Sequence, residues 1–86
     1  MATVKLKYFA WVRERIGTAE EELEIPGHVV SVRDLLDWLK GRGEGYAAAL
    51  GHPEVIRVAI NQEHAHHAEP VAGAREIALF PPMTGG

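Results

Sequence analysis

Eighty-six residues, 47% of them apolar and none of them cysteine, are enough for one domain with a compact core, and they rule out a disulfide framework, a thiolate metal site and a cysteine nucleophile. The net charge is −3 with Lys and Arg scattered singly, which disfavours nucleic acid as a partner, because phosphate neutralisation needs a basic face. The N-terminal MATVKLKYFAW turns polar within its first residues, and no apolar run approaches the roughly 20 residues of a membrane helix, so the expectation is a soluble cytoplasmic protein with no signal peptide and no membrane contact.

A first strand is predicted over Thr3 to Phe9. Val4, Leu6 and Tyr8 alternate with Lys5 and Lys7, so one side of the strand is buried. Phe9 falls on the lysine side. A short turn or helix, AWVRERIG, follows. The second strand runs from about Glu20 to Ile25, with Leu23 and Ile25 inward and Glu22 and Glu24 outward; Pro26-Gly27 ends it. The acidic run Glu20-Glu21-Glu22 with Glu24 reads as a solvated strand edge, a basic partner being the alternative. Ser31 with Asp34 three residues on resembles a capping box, and Val32, Leu35, Leu36 and Leu39 make one apolar stripe, so a helix starts here and stops at Gly41 and Gly43. GYAAALGHP is a shorter helix, terminated by Gly51 and Pro53. VIRVAIN is a third strand with Ile56, Val58 and Ile60 inward, and Asn61-Gln62 begins a turn. EHAHH is a candidate short edge strand. After a loop, EIALF is the last strand, with Ile77 and Leu79 inward and Ala78 and Phe80 outward. Pro81 and Pro82 end it, since neither has an N–H for the ladder.

Strands, one main helix, then strands again predict an α+β domain: a mixed sheet of four to five strands with the helix packed on one face, in the manner of the β-grasp or ubiquitin-like fold. Residues 1–80 would form that domain and residues 81–86 a flexible tail. The sheet's second face has no layer to cover it. Phe9 and Phe80 lie on that face by parity, and they come together if the first and last strands are neighbours. They are then a docking patch, unless a bulge or loop buries them.

The inventory of catalytic groups is thin. Ser31 is taken up as a cap, and Thr3, Thr18 and Thr84 have no base and orienting group nearby in the pattern that activates a hydroxyl. No glycine-rich loop joins a strand to a helix to cradle phosphate. His64 and His66, sharing a strand face, and the adjacent His67 could chelate a transition metal, but no carboxylate or thiolate completes a motif, so no metal is assigned. His28 and His52 flank turns.

What remains is the ending, FPPMTGG. Pro81 and Pro82 hold the chain extended as it leaves the sheet. Gly85 and Gly86 lack Cβ atoms and can enter a narrow channel. Such an ending is either a frayed terminus or a carrier arm with a carboxylate at its tip. FPPMTGG, together with YFAWVRERIG and VAIN, resembles the small subunits of molybdopterin synthase, a family of ubiquitin-like sulfur carriers, and the resemblance extends over essentially the whole chain. It implies that a ubiquitin-activating-like adenylyltransferase uses ATP to adenylate Gly86. Sulfur, supplied indirectly by a sulfurtransferase, then makes a C-terminal thiocarboxylate, with no cofactor bound by the chain itself. It implies that Thr84, Gly85 and Gly86 insert into the synthase large subunit, whose side chains do the catalysis, in a heterotetramer that converts cyclic pyranopterin monophosphate to the molybdopterin dithiolene. Phe9, His64, Phe80, Pro81, Pro82 and Met83 would contact the partner. His64 departs from the family, whose members often carry an apolar residue there. Two other readings are kept: a sulfur carrier for thiamine, tRNA thiolation or amino-acid sulfur, and a ubiquitin-like interaction module without sulfur chemistry.

Overall fold

The computed structural model describes residues 3–82. In chain order the elements are β1 (Thr3–Tyr8), α1 (Ala10–Ile16), β2 (Glu20–Glu24), α2 (Val32–Lys40), α3 (Glu44–Ala49), a 3₁₀ turn (Pro53–Val55), β3 (Arg57–Ile60), β4 (Glu63–Ala65) and β5 (Glu76–Phe80). The five strands form one mixed sheet in the order β2-β1-β5-β3-β4. β1 and β5 pair in parallel at its centre, and every other pairing is antiparallel. This is the β-grasp arrangement expected from the element order.

The alternation in β1 explains which face is covered. Val4, Leu6 and Tyr8 are buried together with Ile77 and Leu79 of β5 and Val58 of β3. Val32, Leu35, Leu36 and Leu39 of α2 are all fully buried against them, as the stripe in the sequence required. Each such side chain removed from water contributes about 1.5–3 kcal/mol.

Helix α2 begins with the capping box anticipated from Ser31 and Asp34. Ser31 Oγ accepts the Asp34 N–H at 3.1 Å, and Asp34 Oδ2 accepts the N–H groups of Ser31 and Val30, both at 3.1 Å. These backbone donors hold the Asp34 carboxyl below the ordinary carboxylate range. The first two helical N–H groups are met from elsewhere: Val32 donates to the Glu69 carbonyl and Arg33 to the His67 carbonyl, both at 2.9 Å. The donors that a helix start leaves unpaired are therefore satisfied here.

Three element boundaries differ from expectation. β1 ends at Tyr8, because Phe9, still extended, becomes the residue flanking α1, and Ala10 then turns into the left-handed region at φ 53°. Pro53 does not simply stop α3; its fixed φ opens the 3₁₀ turn Pro53–Val55, and β3 starts only at Arg57. β4 stops at Ala65, short of His66 and His67, because the chain is drawn across to cap α2. The turn between β3 and β4 has Asn61 at φ 49° and Gln62 at φ 72°, the two-residue geometry that suits a twisted hairpin. Asn61 Oδ1 also accepts the N–H groups of Arg75 (2.9 Å) and Glu76 (3.1 Å), which positions the start of β5.

The acidic run is not uniformly a solvated edge. β2 is an edge strand, and Glu20, Glu22 and Glu24 are exposed. Glu21 points to the helix side. Its Oε2 accepts the Tyr8 hydroxyl from the core and the Tyr46 hydroxyl from α3, each at 2.7 Å. Burial comes first in pushing the Tyr8 phenol far above its ordinary value, followed by the hydrogen bond to Glu21 and that carboxylate's charge. Tyr46 is raised for the same reasons, opposed by Arg42.

Two predictions follow from this packing. Gly45 lets α3 approach α1 closely: a Cβ there would stand 2.6 Å from the Arg15 carbonyl oxygen. Gly45→Ala should cost about 1–3 kcal/mol in chemical denaturation, because the obstacle is backbone and cannot rotate away. The second concerns alkali. Tyrosines whose folded pKa is raised contribute stability that is complete below about pH 10 and is lost as pH climbs toward the folded value. The native protein should show little tyrosinate absorbance at about pH 10 and acquire it together with unfolding. Glu21→Gln should shift that onset to lower pH by removing the repelling charge.

Candidate functional site

The uncovered face of the sheet is read from the strand registers. Lys7 opposes Glu20 on one side and Ala78 on the other; Ala78 opposes Ala59, and Ala59 opposes His64. In the next row toward the end of β5, Arg57 opposes Phe80. Directly opposed residues share a face, so Lys5, Lys7, Phe80, Arg57 and His64 all project away from α2. Phe9 joins them because its extended backbone continues the alternation of β1, and its N–H still donates to the Leu79 carbonyl at 3.1 Å.

This face divides into two regions. Toward β2 it is a lattice of charge: Lys5 Nζ lies 3.9 Å from Glu20 and Lys7 Nζ 3.3 Å from Glu76. Toward the end of β5 it is aromatic. Phe9 and Phe80 meet edge to face with ring centroids 6.5 Å apart, and His64 packs edge-on to Phe80 at 5.7 Å. Phe9 remains 46% exposed, so no bulge or loop covers it, while Phe80 is half-buried beneath its neighbours. An exposed Phe9 gathered with the half-buried Phe80 and the exposed His64 is the feature of the described surface best suited to bind another protein.

The chain leaves the sheet from the same spot. Pro81 and Pro82 are half-buried directly after Phe80, and Pro82 stands at the mouth of an open groove between the start of β3 and the end of β4, which Arg57, His64 and His66 also line. Thus Phe9, His64, Phe80, Pro81 and Pro82 are brought together. Met83, Thr84, Gly85 and Gly86 lie outside the described residues.

The histidines do not form the strand-face pair considered for metal. His64 is in β4 and turned toward Phe80, whereas His66 lies past the strand's end. His67 Nε2 contacts the Ile56 carbonyl at 2.8 Å, and since a carbonyl only accepts, that nitrogen carries the proton. Among the described residues no group of three His, Asp or Glu side chains is placed to hold a metal ion, and no helix is long and apolar enough to cross a membrane.

Arg57 was not singled out from the sequence, although the parity of β3 was available. With Ile56, Val58 and Ile60 inward, Arg57 had to face out. What the strand pattern could not supply was its neighbour, Phe80, because that depends on the register of β3 against β5.

Residues 6–86 match the ThiS family. The chain is 31% identical to the molybdopterin synthase sulfur carrier subunit of Escherichia coli, an alignment spanning 96% of this chain and 99% of that protein. It is 33% identical to the protein of the same name in Haemophilus influenzae, over 92% and 94%. Among solved structures, a Pyrococcus furiosus protein described as subunit 1 of a molybdopterin converting factor superposes with a TM-score of 0.74 at 28% identity, covering 96% of this chain and 100% of that one. Small archaeal modifier protein 1 of Haloferax volcanii superposes with a TM-score of 0.71 at 30% identity, covering 96% and 100%. The chain belongs to the ThiS family.

Proposed function

We propose that this chain is the sulfur carrier subunit of molybdopterin synthase and that the carboxylate of Gly86 is its reacting group. The observation that carries the reading is the end-to-end likeness to two sulfur carrier subunits of that enzyme, together with a family match that runs through Gly86 itself.

The chemistry follows from what a carboxylate lacks. It is a poor electrophile, since a nucleophile attacking it has no adequate leaving group to expel. A ubiquitin-activating-like adenylyltransferase would remedy this. The Gly86 carboxylate attacks the α-phosphate of ATP, pyrophosphate departs, and the acyl-adenylate that forms can lose AMP. Hydrosulfide, released through a sulfurtransferase, attacks the acyl carbon; the C–S bond forms as the bond to AMP breaks, and a thiocarboxylate remains. The large subunit then binds Phe9, His64 and Phe80 together with Pro81, Pro82 and Met83, while Thr84, Gly85 and Gly86 enter its active site. Two carriers, each giving one sulfur, convert cyclic pyranopterin monophosphate to the dithiolene, in keeping with a cytoplasmic heterotetramer of two small and two large subunits. The chain itself is a reactant rather than a catalyst. Glycine at 85 and 86 suits this role, because no Cβ stands between the enzyme and the last carbonyl carbon.

The likeness to a small archaeal modifier protein favours a second reading, in which the same activation serves another pathway. The two share the first step and part at the acceptor.

Intact mass tests the first step. Co-expressed with its adenylyltransferase and a sulfur source, the protein should gain about 16 Da as OH becomes SH at the terminus, and deletion of Gly86 should abolish the gain. No gain under active sulfur transfer refutes both readings. Thiocarboxylated protein that fails to convert the pyranopterin precursor with a large subunit refutes the first alone. Gly85→Ala supplies a separate check. On this reading position 85 acts in the partner's active site and glycine has no side chain to bury, so the substitution should leave the melting temperature within about 1–2 °C while slowing activation or transfer.

A further inference from the structure

We propose that Arg57 makes the docking face selective for a partner that presents a carboxylate beside the carrier tail. This rests on the docking role given above to the face around Phe80 and adds the chemistry of what binds there.

The charge balance of the face singles Arg57 out. Lys5 and Lys7 each stand near a glutamate of the same sheet. Elsewhere Arg33 pairs with Asp37, Arg15 stacks over the Trp11 ring at 4.4 Å, and Arg42 over Trp38 at 5.3 Å. Arg57 has no ion-pair partner among the described residues; Arg13, Lys40 and Arg75 share that property, but none of them lies in a strand. It is exposed, and it lies directly opposite Phe80 in the β3–β5 register. The groove it lines also carries His64 and His66. Glu54 is the one carboxylate lining that groove, and it faces the His52 imidazole at 3.6 Å. A chain of net charge −3 therefore places a guanidinium without an ion-pair partner opposite the residue from which the tail begins.

The recognition chemistry is specific. A guanidinium offers a planar fork of donors that fits a carboxylate bidentately. Set beside aromatic rings that exclude water when a partner covers them, such a contact has the composition of an interface hot spot. A partner with an Asp or Glu facing Arg57 and an apolar surface facing Phe9 and Phe80 matches both halves of the face. A partner that is neutral or basic at that point leaves the guanidinium desolvated and unpaired, which discriminates against it. The sulfur-receiving subunit is the partner to which this applies, since Arg57, the first residue of β3, lies opposite Phe80, the last residue of β5 before Pro81 and Pro82.

Calorimetric titration against the purified large subunit of molybdopterin synthase from the same genome tests this at low and at raised salt. The variants are Arg57→Ala, Arg57→Glu and Phe80→Ala, each checked first for an unchanged melting curve. Arg57→Ala should weaken binding about tenfold or more and flatten its salt dependence, and Arg57→Glu should weaken it further. If Phe80→Ala weakens binding but Arg57→Glu leaves affinity and salt dependence as in the wild type, the carboxylate-selective role is overturned while docking on this face stands. If no variant changes affinity, or the wild type does not bind, both are overturned.

Discussion

The parallel pairing of β1 with β5 is the constraint on which the rest of the molecule depends. Parallel neighbours run in the same direction, so the ends of the first and last strands finish at the same edge of the sheet. Leu79 lies opposite Tyr8, and the residues that follow, Phe9 and Phe80, meet edge to face. An antiparallel pairing would have put the end of β1 beside the start of β5 and separated the two rings by the length of a strand. The same pairing fixes where the chain leaves the sheet, so the aromatic patch and the exit at Pro81 coincide through topology alone. Parallel pairing demands a long connection between the partners. Here that connection is almost the whole domain, and its elements supply the helix that covers one face and leave the other uncovered.

Covering one face creates a second demand, which shapes the groove. Helix α2 must bury its leucines against the sheet, yet its first N–H groups need acceptors. The capping box satisfies one of them. Two more are satisfied by the carbonyls of His67 and Glu69. Bringing that segment to the helix pulls it off the edge of β3, so β4 is only three residues long and a gap opens between its end and the beginning of β3. The polar accounting of a helix start on one side of the sheet thus helps to make the concavity beside Arg57 and His64 on the other.

The two edges of the sheet avoid open pairing by different means. β2 carries three exposed glutamates, and charge on an edge strand discourages another chain from adding to it. β4 is too short to offer much of a template. Glu21 shows why a run of like residues is not one feature. Its neighbours are solvated, while its own carboxylate accepts hydroxyls from Tyr8 and Tyr46 and ties the edge strand to the core and to α3. A side chain one position along a strand has the opposite face, hence a different medium.

Much of this was legible in the residues. Period-two alternation in VKLKY and EIALF, the apolar stripe of α2 and the Ser31–Asp34 spacing are local patterns whose physics does not need a partner, so the elements and their buried faces could be read directly. The outward parity of Phe9 and Phe80 was equally local. The neighbours were not. That Phe80 has Arg57 across from it, that His64 packs on its ring, that Glu21 serves two phenols and that His67 turns away to contact Ile56 are consequences of register and of non-local backbone hydrogen bonds. Sequence by itself determined the inward and outward faces of β1, β5 and α2 and the start of α2 at its capping box. Only the tertiary structure decided which outward residues meet, because contacts between strands far apart in the chain are set by how the whole sheet pairs and not by any one strand.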